Sequence, residues 1–159
     1  MNNNNSHKRF TKILVPIDGS ANSMKAVEYG VDIAQIYGCE LVALHVLYSQ
    51  SGFAFHTETV TGTITTSSLE DLNTEAKHEA EKWFNQVDNI AERNRIKVKT
   101  EVVLTVISIV EAILSYAEKE RIDLIVVGSR GRSGWKKLIQ GSVASGISTY
   151  AHCPVLIVK

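Results

Sequence analysis

Two short stretches hold residue types that could do chemistry. The first is Pro16-Ile17-Asp18-Gly19-Ser20, which sets one carboxylate and one hydroxyl directly behind an apolar run. The second runs from Gly128 to Ser142 and combines Gly128, Gly131, Gly134 and Gly141 with Arg130, Arg132, Lys136 and Lys137. Half of the ten glycines fall between Gly128 and Gly146. Glycine lets the backbone turn through positive φ or lie close against a ligand, and amides at a helix N-terminus can hold phosphate oxygens. The chemistry these residues suggest is retention of a small anion. Each feature also has a plainer reading: a turn glycine, a solvated cation, and a Ser142 hydroxyl that either caps the following helix or touches a phosphate. Their coincidence in one stretch favours the anion. Neither Gly-x-x-x-x-Gly-Lys-Ser/Thr nor Gly-x-Gly-x-x-Gly occurs, so the P-loop and dinucleotide fingerprints both fail.

Other chemistry is poorly supplied. The chain offers no Ser-His-Asp set, no paired carboxylates at the glycine stretch and no metal-ligand cluster. His7, His56, His78 and His152 are scattered, and His45, inside an apolar run, reads as a satisfied core histidine. Cys39 and Cys153 stand alone and read as small buried residues of a reducing compartment. With 159 residues, 44% hydrophobic and 21% charged, the chain suits one domain with a full core. Its strongly apolar uncharged stretch 102–110 is about half a membrane span, and its polar start lacks a signal-peptide core. The expectation is a cytoplasmic protein without a membrane partner. A net charge of zero argues against a nucleic-acid partner, yet Asp123 is the last acidic residue. Five cations follow it, so the last 36 residues carry +5 and the first 123 carry −5, an asymmetry that suits a small anionic ligand.

The elements that must position these groups follow from periodicity. Residues 1–11 are polar and Asn-rich and read as a disordered leader to a single domain over 12–159. Residues 13–17 read as a buried strand, and helical spacing at Val27, Val31 and Ala34 ends at Gly38. Residues 41–47 return to a strand. Residues 49–67, rich in Ser, Thr and Gly and containing Phe53 and Phe55, read as a long mobile loop able to act as a lid. A long helix begins near Ser68 and carries Trp83 on its core face rather than as a ligand platform. Strand 98–104, helix 109–120, strand 124–127, helix 142–152 and strand 155–158 complete the pattern. Five strands alternating with four helices predict an α/β fold with a parallel sheet and right-handed crossovers. Such sheets bind ligands at the carboxyl ends of their strands, near the point where strand order reverses. Both chemical stretches sit at strand ends.

Gly128, Gly131, Gly141 and Ser142 stand as Gly-x2-Gly-x9-Gly-Ser/Thr, which resembles the nucleotide-binding motif of the universal stress protein family. Lys12-Ile-Leu-Val-Pro-Ile-Asp-Gly-Ser20, Leu44-His45-Val46, Asp123-Leu-Ile-Val-Val-Gly-Ser-Arg-Gly131 and Cys153-Pro-Val-Leu-Ile-Val158 resemble other segments of that family in the same order. The resemblance covers residues 12–159. It implies an open five-stranded parallel sheet of order 3-2-1-4-5 with helices on both faces, Rossmann-like in the manner of the adenine nucleotide alpha hydrolases. It also implies ATP or another adenine nucleotide across the ends of the first and fourth strands. Pro16, Ile17 and Asp18 would lie against adenine and ribose, and Val46 would give a backbone contact to the base. Val127 and Gly128 would border the ribose, with Arg130, Gly131, Gly141, Ser142 and Val143 around the phosphates. Asp18 would reach a hydrated Mg2+, cap a helix or meet the ribose. One departure is Thr105-Val106-Ile107-Ser108-Ile109, where the family commonly has a Gly-x-Pro-type turn; Val106 and Ile107 are then either buried or turned to a partner.

The function implied is a stress-response signalling module that holds ATP. The alternatives are a slow ATPase and a nucleotide-free dimeric interaction protein. The His-x-Gly-His and Ser-Gly-Gly-x-Asp-Ser patterns of adenylating relatives are both absent. Residues 155–158 carry no charge before Lys159, so this last strand is expected to pair with its copy in a homodimer.

Overall fold

The computed structural model describes residues 9–48, 66–132 and 141–159, with side chains of the helix over 66–93 described at 74 and from 76 onward. The elements are β1 (Lys12–Ile17), α1 (Ala21–Tyr37), β2 (Glu40–Tyr48), α2 (Thr66–Arg93), β3 (Val98–Thr105), α3 (Ile109–Lys119), β4 (Leu124–Gly128), α4 (Ser142–Tyr150) and β5 (Val155–Val158). Every strand pairing is parallel and the sheet order is β3-β2-β1-β4-β5, as the sequence implied. The chain starts at the centre, moves outward to β3, then crosses back to lay β4 on the other side of β1. The reversal point is therefore the gap beyond the ends of β1 and β4.

β1 and β4 are continuous apolar runs because both faces of the sheet are covered. Ile13, Val15 and Ile17 pack with Val27, Val31 and Val87 of α1 and α2, while Leu14 and Ile125 pack on the opposite face with Ile113 and Ile147 of α3 and α4. Local chemistry sets where α1 starts and stops. Ser20 Oγ accepts from Ser23 N at 3.1 Å, and Gly38 closes the helix at φ 61 with its N–H on Ala34 O. The two sheet edges differ. β3 carries a Lys99–Glu101 ion pair at 2.8 Å, whereas β5 is apolar throughout and leaves Leu156 36% exposed.

Several boundaries differ from the sequence reading. Two residues read as part of the leader make contacts with the domain: Phe10 packs edge-on against Tyr37 with centroids 5.2 Å apart, and Thr11 donates from N and Oγ1 to Asp123 Oδ2 at 2.7 and 2.6 Å. A carboxylate 112 positions away thus ties down the end of the polar leader. α2 starts at Thr66, so the last two residues expected in the loop are helical; residues 49–65, with Phe53 and Phe55, lie outside the described residues. α4 ends at Tyr150 rather than at His152, and the extended Ala151 leads toward Pro154. Cys39 and Cys153 are half-buried rather than buried, and neither is in a disulfide. Burial, with the Asp123 carboxylate second, pushes the Cys153 thiol up from its ordinary value. Among the described residues no helix is long and apolar enough to cross a membrane.

Candidate functional site

A cavity of about 400 Å³ opens at the carboxyl ends of β1, β2 and β4, at the strand-order reversal. β1 contributes Pro16 and Ile17, with Asp18 just beyond it. β2 contributes Leu44, His45 and Val46. Val127 and Gly128 end β4 on the cavity wall, and the loop behind them adds Arg130, Gly131 and Arg132. Gly141, Ser142 and Val143 enter from the start of α4. All eleven residues singled out from the sequence therefore surround one cavity.

Six more lining residues had no part in the sequence assignment, Ser23, Leu44, His45, Ile109, Ile113 and Ala144, and a seventh, Arg132, was named in the basic glycine stretch but given no nucleotide contact. Strand parity carries a signal for Leu44, two residues from Val46 and so on the same face. Helical spacing carries one for Ile109 and Ile113. No local pattern marks His45. Its ring Nδ1 lies 2.8 Å from Ile17 O, and since a carbonyl only accepts, Nδ1 is the donor. The expectation of a satisfied histidine is met, and the same residue also walls the cavity. Trp83 packs on the core as expected, and its indole meets the His45 ring edge-on at 4.9 Å and 80°.

Asp18 is half-buried and joins two loops. Its Oδ1 accepts from Ser20 N at 3.0 Å, and its Oδ2 accepts from Arg132 N at 3.0 Å. Burial pushes this carboxyl up, but the hydrogen bonds from Ser20, Ser23 and the Arg132 amide outweigh it and hold the group below its ordinary 3.8. A depressed carboxyl stabilises the fold fully above that ordinary value, and the contribution is lost as pH falls through the lowered one. Asp18→Asn should therefore be less stable than the parent to urea at neutral pH, and should lose less on going from about pH 4 to about pH 2. Equal acid slopes for the two proteins would remove Asp18 from the acid response.

Of the two purposes the sequence suggested for the glycines at this site, positive φ and close approach to a ligand, the first is not met. Positive φ occurs at Gly19 (77°) and Gly38 (61°), and at none of the described glycines around the cavity. A Cβ at Gly128 would stand 2.8 Å from the Asn22 backbone, so close packing of α1 on β4 accounts for that glycine. One at Gly131 would stand 2.7 Å from Asp18 Oδ2. Gly141 differs from both. Its φ is −61°, and among the described residues an added Cβ would meet nothing nearer than Ser129 O at 3.4 Å, an ordinary contact. Neither backbone conformation nor packing against the described residues requires glycine there.

Gly141 is also the N-cap of α4 and supplies no side-chain bond, so the Ser142 hydroxyl is not the cap. A helix leaves its first amides without intrahelical acceptors, and residues 142–144, which carry them, line the cavity. The arrangement joins a helix N-terminus to Arg130 and Arg132, a combination that attracts anions. The same lining includes Leu44, Val46, Ile113 and Val127, apolar surface able to cover a flat ring. The rim over 105–109 is held by Ile107 N on Thr105 Oγ1 at 3.3 Å and by Ser108 Oγ accepting from Glu111 N at 3.4 Å. Val106 and Ile107 are exposed there, at 39% and 70%, so the buried alternative is excluded. Among the described residues no three His, Cys, Asp or Glu side chains converge as a metal site would require.

Comparison with known proteins agrees with this geometry. A family model described as "Universal stress protein family" matches residues 9–159. Universal stress protein YxiE of Bacillus subtilis is 35% identical over 153 residues, 94% of this chain and 99% of its own length. Universal stress protein MJ0531 of Methanocaldococcus jannaschii is 33% identical, covering 98% of this chain and 85% of that protein. Among solved structures, universal stress protein UspA from Lactobacillus plantarum superposes with a TM-score of 0.75 at 28% identity, over 95% of this chain and 99% of its own. Two more distant structures share the fold: one from Archaeoglobus fulgidus in complex with dAMP (TM-score 0.67, 18% identity, 94% and 98% covered) and one from Arabidopsis thaliana with AMP bound (0.63, 17%, 94% and 91%).

Proposed function

This chain belongs to the universal stress protein family, and on that premise we propose that its cavity binds an adenine nucleotide, ATP in the first instance, and that the protein acts as a cytoplasmic stress-response signalling module. The observation that carries the reading is Gly141: a glycine on the cavity wall that neither φ nor packing against the described residues demands, at the mouth of a helix N-terminus, leaves room for a phosphate. The complexes of more distant relatives with dAMP and AMP support the choice of adenine nucleotides. In this reading the apolar wall and the Val46 backbone take the base, and Asp18 with Val127 and Gly128 takes the ribose. Arg130, Gly131, Gly141, Ser142 and Val143 surround the phosphates.

Mg2+ fits the same reading. It is typically held by one or two carboxylates, substrate phosphates and waters, and Asp18, whose carboxyl is held below its ordinary value by its hydrogen bonds, stands beside Gly131. Bound there, the ion would offset the repulsion between that carboxylate and a polyphosphate. Mass spectrometry of small molecules released by acid from freshly purified protein tests the assignment. Adenine nucleotide in near-stoichiometric amount is expected, and a nucleotide-free protein that also fails to take up ATP would favour the interaction-module alternative.

The protein is further proposed to be a homodimer through β5. That strand lies at the sheet edge, carries no charge and leaves Leu156 partly exposed, whereas the β3 edge is guarded by Lys99 and Glu101. Sedimentation at tens of micromolar, a range in which a pair with Kd of about 1 μM associates, should give the dimer mass. Leu156→Lys should shift it to monomer, and a parent that sediments as a monomer would overturn the assignment.

A further inference from the structure

Helix α2 reaches the cavity through side chains that no motif marks. Arg132, on the cavity wall, is fixed at its backbone by the N–H bond to Asp18. Its guanidinium lies on α2: Nη1 is 3.5 Å from Glu79 Oε2, and Cζ is 5.3 Å from the centroid of the Trp83 ring. Glu79 and Trp83 are four residues apart, so both project from one face of α2. Trp83 in turn abuts His45, another wall residue. The Arg132–Glu79 pair is well exposed, with side chains 60% and 49% accessible, and such pairs are weak and screened by salt. A phosphate offers a guanidinium a stronger, bidentate, charge-assisted partner.

We propose that Arg132 is an exchangeable arm: a phosphate in the cavity takes its guanidinium from Glu79, and the change around Trp83 transmits ligand occupancy to α2. The inference rests on the nucleotide reading above and adds its route of regulation. With the backbone of Arg132 tied to Asp18, only the side chain needs to move.

The test uses Trp135→Phe, which leaves Trp83 as the sole tryptophan, and follows AMP and adenosine by emission and by calorimetry on the same samples. AMP should produce a saturable change in Trp83 emission whose midpoint matches the calorimetric Kd. Glu79→Gln, which removes the competing carboxylate, should tighten AMP about 2- to 5-fold and leave adenosine unchanged. Arg132→Gln should weaken AMP roughly 10- to 100-fold, the effect of one hydrogen bond to a charged group, leave adenosine unchanged, and abolish the emission change at saturating AMP. An emission response that survives in Arg132→Gln, or AMP affinity indifferent to both substitutions, overturns the arm while leaving the nucleotide site standing. A parent protein that binds neither AMP nor adenosine removes both.

Discussion

Gly141→Glu should fold as the parent does and bind AMP or ATP at least about 100-fold more weakly. The fold tolerates the change because among the described residues the new Cβ meets only ordinary contacts at 3.4 Å or more, and φ at −61° suits any residue. A carboxylate at the start of a helix is, if anything, stabilising. The ligand has no such latitude. The new side chain enters the space assigned to phosphate and adds a negative charge near it. At 6 Å and an effective dielectric near 20, like charges repel by about 2.8 kcal/mol, or about 100-fold, and at 4 Å by about 4 kcal/mol. Gly141→Ala separates the two contributions, since it adds only a methyl group and should cost far less affinity. Calorimetric titration after a check of the unfolding midpoint decides the matter: a folded Gly141→Glu protein with the parent's affinity would remove the phosphates from this end of the cavity. Gly131 is a poorer place for the same test, because its Cβ would press on Asp18 Oδ2.

The second large effect is on stability. Gly19→Ala should cost about 2–5 kcal/mol in urea unfolding. Gly19 sits at φ 77°, where an L-residue pays roughly 1–2 kcal/mol, and its Cβ would fall on the indole of Trp83. Overpacking of that kind adds about 1–3 kcal/mol. The two causes can be separated by a double-mutant cycle with Trp83→Leu. In the leucine background the overlap is relieved and only the φ cost should remain. Equal costs in both backgrounds would show that Trp83 does not press on the turn that carries Asp18.

The parts of this molecule that were legible in the sequence are those written locally. β1 and β4 read as strands because burial on both faces demands unbroken apolar runs, and Gly38 read as a helix end because a left-handed cap favours glycine. Alternation of strands and helices, with the reversal rule, then brought Asp18 and the glycine stretch to one cavity. What was not legible is long-range or depends on the actual backbone. Thr11 is ordered by Asp123 and Arg132 is paired with Glu79, across 112 and 53 positions, and no periodicity announces either. His45 looks like any residue in a buried strand until β1 is laid beside it and Trp83 is packed against its ring. For the glycines, one of the two reasons read from the sequence fails: positive φ sits at Gly19 and Gly38, while Gly128 and Gly131 mark close approach of neighbouring groups of the chain.

The most direct test of the central claim is calorimetric titration of ATP, with Mg2+ present, into the intact chain after any nucleotide carried through purification has been removed. The account predicts a saturable isotherm at one nucleotide per chain in the micromolar range, about −8 kcal/mol at 1 μM. No saturable heat up to about 1 mM ATP, where binding would be worth no more than about −4 kcal/mol, would contradict it.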